Sequence, residues 1–383
     1  MKKKKAFEKQ ENKDINMGRQ EDEHWHHLLK DGSLRAPLAL LIEKSLHPLI
    51  HSRYNRACAV LLDLLKKEFK LFSHIEVMKN FWLMEAGGTI HMFYSELYLK
   101  AKMKEIWQNV PYLNIALQDA LQMHYPWLMD SLTVEFDMDF IPQNKGVVFD
   151  GLSLRYSAPW PISIILDADA EKQYNEIFKF MLKMKRSTWC LEQLRFDELN
   201  NLTIFPTGLD NAMELKGASK SPMPLNQKQL EIRQLMLILR MKMCHVLRMF
   251  NFYLMDRVKF ITIKEFQTKF EEAKDLDELL EVHQAFLTNL HHRCFLGSKI
   301  GPAKDAIHRI FCLALDFQDL WVLGVAQIDA KKIESLEIEF KRCKSFLFSF
   351  FNNLAKRGSY PHFEFLAASL KTESHSHLAL FRR

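Results

Sequence analysis

From Ile232 to Leu254, apolar side chains recur every three or four residues: Ile232, Leu235, Met236, Leu239, Met243, Val246, Leu247, Phe250 and Leu254. That spacing is the period of one helix face, and the run is too long for a strand. A stripe of this length has to be covered by other helices. The same period recurs along the chain, so the expected fold class is all-α: elongated, consecutive helical bundles. A hydrophobic fraction of 48% can supply the core such bundles need.

Around this stripe the other helices can be placed. Leu38, Leu41, Ile42, Leu46, Leu49 and Ile50 form one face behind Pro37, which suits a helix start. Ala57, Val60, Leu61, Leu64 and Leu65 form the face of a second helix, and a third covers Phe72 to Met84. Gly87-Gly88 is expected to stop it, with Thr89 capping a helix that runs to about Val110. Another covers Tyr112 to His124, ahead of Pro126. Further periodic runs span Tyr174 to Trp189, Leu276 to Cys294, Pro302 to Leu323 and Ala330 to Ala355. A break is expected near Ile261-Thr262, and the last 20 residues lose the pattern. Residues 200–226, with three prolines and two glycines, read as a mobile loop.

One region departs from helix. Near residues 130–167 the period falls to two: LTVEFDMDF alternates partly, and Leu152, Leu154 and Tyr156 oppose Ser153 and Arg155. A small β-ribbon is expected there, continuing into LRYSAPWPISIIL. Pro159 and Pro161 bias their predecessors towards extended backbone, so this segment is neither mid-helix nor a central strand. Two roles stay open for it: a corner in which Trp160 and Ile164 plug a gap between bundles, or a contact with a partner.

The search for chemistry yields exclusions. The chain holds no phosphate loop, dinucleotide fingerprint, H-E-x-x-H or G-x-S-x-G. Its 12 glycines are about half the usual share, which disfavours folds that bring backbone onto phosphate. His24, His26 and His27 lack a second ligand group at zinc spacing and read as a surface cluster. His283 lies on an apolar stripe and reads as a core histidine; Asp137 and Asp139 read as a solvated strand face. No enzyme, cofactor or metal is expected. Six dispersed cysteines without a C-x-x-C pair read as reduced residues of a cytosolic protein. The net charge of +6 is spread over both signs, and the groups Lys183, Lys185, Arg186 and Lys341, Arg342, Lys344 read as wet helix faces. Nucleic-acid binding is therefore not expected. No apolar run reaches membrane-spanning length, and the basic Lys2–Lys5 start has no apolar run behind it, so neither membrane insertion nor a signal peptide is expected.

Several stretches carry a resemblance. LRAPLALLIEKSLHPLIHSRYNRACAVLLDLLKKEFKLFSHIEVMKNFWLM, GLSLRYSAPWPISIILDADAEKQYNEIFKFMLKMKRSTWCLE, LRMKMCHVLRMFNFYLMDRV and DLDELLEVHQAFLTNLHHRCFLG together resemble the C-terminal half of the gamma-tubulin complex components. The most specific of these is the family's "Leu-x-Tyr-x-x-Pro-Trp-Pro" segment. The resemblance covers residues 33–370, with a charged linker or tail at 1–32 and a polar basic tail at 371–383. Sub-bundles are expected at about 33–127, 128–255 and 256–357. After FYLMDRV the family usually has an acidic-Pro-Trp turn; here VKFITIKEF stands in its place.

The resemblance implies a helical domain that binds gamma-tubulin and assembles with other gamma-tubulin complex components in microtubule nucleation. It implies a place in the cytoplasm, at cytoskeletal microtubule organizing centers such as centrosomes or spindle poles. It also implies a chain without the family's N-terminal domain for lateral assembly. A tubulin-like partner offers a broad acidic surface, which a mildly basic helical face can meet. The candidate contacts are Arg248, Asn251, Tyr253 and Arg257 on the long helix and its successor, with Arg155 and Tyr156 on the ribbon. The alternative is a generic helical-rod scaffold or tethering-complex subunit that does not bind gamma-tubulin.

Overall fold

The computed structural model describes residues 43, 46–103, 107–199, 227–297, 300–325, 327–358 and 362–371, without the side chains of 197, 198, 257 and 259. The expected loop at 200–226, the histidines at 24–27 and most of the helix behind Pro37 lie outside the described residues. The chain divides into two compact units. One comprises residues up to Glu68 with Ala273–Leu279, and the other Phe69–Glu272 with Leu280 onwards.

In the first unit α1 runs unbroken over His47–Lys67, where the sequence suggested two helices. Pro48 lies in its first turn, where a missing N–H costs nothing. The expected face is also corrected: Leu62 and Leu65 are buried, whereas Val60, Leu61 and Leu64 are exposed.

The second unit is organised around α5, Ala168–Glu192. Asp167 caps it by accepting from the Ala170 N–H at 2.8 Å, and Asp169 and Glu171 favour the positive end of its dipole. Its buried residues, from Ala170 and Tyr174 through Phe178, Met181 and Leu182 to Cys190, do not fit one face. A helix apolar on several sides must be enclosed. Among the described residues α5 packs chiefly on α2 (Leu71–Trp82), strand β2 (Leu152–Tyr156), α6 (Gln227–Phe252) and α9 (Gly301–Leu323). Beyond them α10 (Ala330–Lys356) covers α9, and α11 (Phe363–Lys371) covers α10. α11 is helical where the sequence pattern is lost, over the start of the last 20 residues.

The glycine pair also acts differently from expectation. Gly87 and Gly88 open α3, Gly87–Met103, so they start a helix rather than separating two. α4 follows at Val110–Gln122, capped by Asn109. The break near Ile261 is a π-helical turn, Tyr253–Phe260, through which α6 passes into α7, Ile261–Glu272. α8, Leu276–Arg293, ends in Phe295, whose φ is +63°. The Leu296 N–H donates to the His291 carbonyl at 3.1 Å, closing a left-handed helix end of the kind glycine usually forms. Phe295 tolerates that backbone because its ring is fully buried among Phe180, Phe250, Tyr253, Phe351 and Phe363.

The ribbon forms as the alternation requires. β1, Leu132–Phe136, pairs antiparallel with β2, with Val134 opposite Leu154. Leu132, Val134, Leu152, Leu154 and Tyr156 are buried on one face. Each strand's outer edge is closed by an asparagine from a helix. Asn114 on α4 accepts from the Val134 N–H (2.8 Å) and donates to its carbonyl (3.1 Å). Asn175 on α5 does the same for Leu154, at 2.9 Å in both directions, and also accepts from the Trp82 indole. A side-chain amide thus replaces a neighbouring strand on both sides. ISIIL is a 3-10 turn at Ile162–Ile164, not strand. Trp160 and Ile164 plug no gap: they are 76% and 44% exposed.

Candidate interaction surfaces

Two histidines inside the second unit are held in different ways. His283 is buried, and its Nε2 lies 3.2 Å from the Tyr174 hydroxyl. Burial pushes its pKa down to about 4, so it is neutral near pH 7, as a core histidine should be. Cys312 and His308 share a polar pocket of about 410 Å³ with Asn144, Lys145 and Asp305. Their Sγ and Nε2 lie 3.9 Å apart. Burial raises the thiol and lowers the imidazole, which leaves both neutral, the opposite of an activated thiolate–imidazolium pair. Among the described residues no group of three His, Cys, Asp or Glu could hold a metal, and no helix is long and apolar enough to cross a membrane.

Charge is segregated instead. Residues 227–257, which form α6 and most of the turn after it, carry six basic side chains against Glu231 and Asp256. Residues 123–171, around the ribbon, carry eight acidic side chains against Lys145 and Arg155. In a chain of net charge +6 these two segments thus carry opposite sign in sequence, and part of that charge is paired within the chain, as Lys242 with Glu337 and Lys183 with Asp150.

α6 buries Met236, Leu239, Met243, Val246, Leu247 and Phe250. Its outer side shows Leu235, Ile238, Met241, Arg248 and Phe252 at helical spacing, with Met241 73% exposed. The basic groups are fixed unevenly along it. Arg240 donates to the Leu191 carbonyl and lies over the Trp321 ring, Lys242 pairs with Glu337, and Arg248 reaches Glu192 at 3.4 Å.

The six candidate contacts do not form one cluster. Arg248 is exposed on α6. One turn on, Asn251 is half-buried, and its Oδ1 is buried without a hydrogen-bond partner. Tyr253 is fully buried and donates to the Arg293 carbonyl at 3.3 Å. Arg257 lies in the π turn, and its side chain is outside the described part. On the ribbon, Arg155 is exposed and pairs with Glu135 across the strands at 2.9 Å. Tyr156 points inward to His74 Nδ1 at 2.5 Å, and burial pushes its pKa up to about 12. The exposed stripe of Leu235, Ile238 and Met241 was missed in the sequence. Its signal was present, because α6 has more apolar residues than one buried face can use.

The basic groups Lys183, Lys185 and Arg186 on α5 are half-buried rather than wet. Lys183 pairs with Asp150 at 2.7 Å, and Arg186 donates to the Lys145 carbonyl and lies over the Phe149 ring.

This helical arrangement has counterparts among known proteins. The family model described as gamma tubulin complex component C-terminal matches residues 71–375. Gamma-tubulin complex component 5 of Mus musculus is 35% identical over 338 residues, covering 86% of this chain and 32% of that protein. The protein of the same name from Macaca fascicularis is 35% identical over 333 residues, covering 86% and 46%. Gamma-tubulin complex component 6 of Homo sapiens is 25% identical over 355 residues, covering 88% and 18%. The chain thus spans about a third to just under half the length of the component 5 proteins it matches. These identities agree with the stretch at residues 81–121, FWLMEAGGTIHMFYSELYLKAKMKEIWQNVPYLNIALQDAL, which points to the fifth component. The chain belongs to the gamma-tubulin complex component family.

Proposed function

We propose that this chain binds gamma-tubulin and takes part, with other gamma-tubulin complex components, in an assembly that nucleates microtubules. The observation that carries the reading is the family match over residues 71–375, which takes in the elements packed chiefly on α5. The binding face is the outer side of α6 and the turn after it. There Leu235, Ile238 and Met241 are exposed, Arg248 is exposed two turns beyond Met241, and Arg257 follows it in the sequence. Apolar area flanked by basic groups suits a large, folded, acidic partner. Tyr253, bonded to the Arg293 carbonyl, acts in this reading by fixing the α6 end that presents Arg248, and Asn251, whose Oδ1 has no partner among the described residues, stays a candidate contact. Arg155, surrounded by carboxylates, is not part of the face. The chain then works in the cytoplasm, at microtubule organizing centers.

Co-purification with gamma-tubulin tests this. The full chain should form a one-to-one complex, and Arg248→Glu with Arg257→Glu should weaken it at least tenfold while the circular dichroism spectrum stays native. Unchanged co-purification of that variant rules out the α6 face. A folded wild-type chain that fails to bind returns the protein to the generic scaffold reading.

A further inference from the structure

The acidic region has an apolar surface of its own. Where β2 leaves the ribbon, the Ser157 N–H donates to the Ser131 carbonyl, which ties the segment ending at Ser131 to the one that leads into the turn at 159–164. Four large apolar side chains are exposed there: Met123 (82%), Trp127 (53%), Trp160 (76%) and Ile164 (44%). Trp127 is oriented from below by His74, whose ring it meets edge-on at 6.1 Å. The α5 N-terminus reaches the same end of the ribbon, since the Tyr156 backbone bonds the Glu171 carboxylate. Asp130, Asp167 and Asp169 are exposed on the segments that meet at this end, and Glu171 is half-buried against Tyr156. Arg155, paired with Glu135, also lies close enough to Glu171 to interact with it, so Asp130 and Asp169 are the carboxylates left for a partner.

Exposed tryptophans among charged groups mark interaction sites rather than ordinary surface. We infer that this end of the ribbon docks a basic amphipathic helix of a partner protein. Its apolar side would cover Trp127 and Trp160, and its lysines or arginines would meet Asp130 and Asp169. The sign of these carboxylates selects the occupant. Phosphate-bearing surfaces, whether lipid or nucleic acid, are repelled, and a symmetric contact between two copies would set acid against acid. The inference is independent of gamma-tubulin binding, which uses the basic α6 face.

The test uses the full chain and two labelled model helices of 18 residues, one leucine/lysine and one leucine/glutamate, followed by fluorescence anisotropy. The lysine helix should bind at least tenfold more tightly than the glutamate helix. Trp127→Ala with Trp160→Ala should weaken it at least tenfold, and Asp130→Asn with Asp169→Asn about threefold. Met241→Ala, on α6, should leave it unchanged. If Trp127→Ala disturbs folding through His74, Trp160→Ala alone carries the test, because that side chain is three-quarters exposed. Equal affinity for both helices overturns the proposal, as does unchanged binding by folded Trp160→Ala. So does self-association, or capture on phosphatidylserine vesicles, that Trp160→Ala abolishes. Gamma-tubulin co-purification should be the same for Trp160→Ala and wild type, so the two readings can fail separately.

Discussion

His283 and Phe295 show how single residues set the stability of the larger unit. In the folded chain His283 has a pKa of about 4, pushed down by burial, against an ordinary value near 6.5. Above pH 6.5 it is neutral whether folded or unfolded and contributes nothing to pH dependence. As pH falls through 6.5 towards 4, the unfolded chain binds the proton first and stability is lost. A shift of this size corresponds to about 3 kcal/mol below pH 4. Burial pushes His362 the same way, aided by Arg293, so the two effects add. Urea unfolding should therefore show lower stability at pH 5 than at pH 7, and His283→Gln should flatten part of that slope. Phe295→Ala removes the ring at the centre of five others and should cost about 3–5 kcal/mol by urea titration. The core role of His283 was legible in the sequence from its place on an apolar stripe. The left-handed backbone of Phe295 was not, because no side-chain pattern announces a helix end that aromatic packing holds in place of glycine.

The elements were legible to different degrees, for reasons of period. α5, α9 and α10 are long, so their 3.6-residue pattern stands above chance; the bounds of α9 and α10 agree with expectation to within a residue, whereas α5 starts six residues before Tyr174. β1 and β2 showed in the two-residue alternation from Leu152 to Tyr156. α11 was missed because nine residues, FEFLAASLK, give barely two turns of pattern. ISIIL was misjudged because β-branching favours strand only where a neighbouring strand is available. The π turn after α6 keeps the chain helical where a break was expected, since a change from four- to five-residue bonding leaves no mark in composition. The exposed side of α6 should tolerate charge: Met241→Lys should shift the thermal midpoint by no more than a surface substitution does, within about 0.5 kcal/mol. A larger loss would mean that something in the folded chain already covers that side.

For the molecule as a whole, the fold and the family were far more legible than the contacts. Family membership rests on motifs spread over hundreds of residues, whereas a binding face depends on which side of each helix the packing leaves outside. Tyr156 and Tyr253 illustrate the gap, since polar residues in suggestive positions proved to be buried and bonded within the chain. Charge segregation gives a testable property of the whole. If α6 meets an acidic partner, raising salt from 50 to 300 mM should weaken gamma-tubulin co-purification, because screening at the higher concentration reaches within about 6 Å. Salt-independent binding would argue for an apolar contact elsewhere.

The asparagine clamps on the ribbon bear on dynamics. Val134 and Leu154 face away from each other's backbone, so in an isolated hairpin their amide protons would exchange with solvent within moments. Here each is held by an amide from a helix about 20 positions away, Asn114 for one and Asn175 for the other. Neither proton can leave unless α4 or α5 moves. In deuterium exchange these two amides should be as slow as those in the middle of α5, and Asn175→Leu should release Leu154. A ribbon of two short strands would then report on the opening of the helices that hold it.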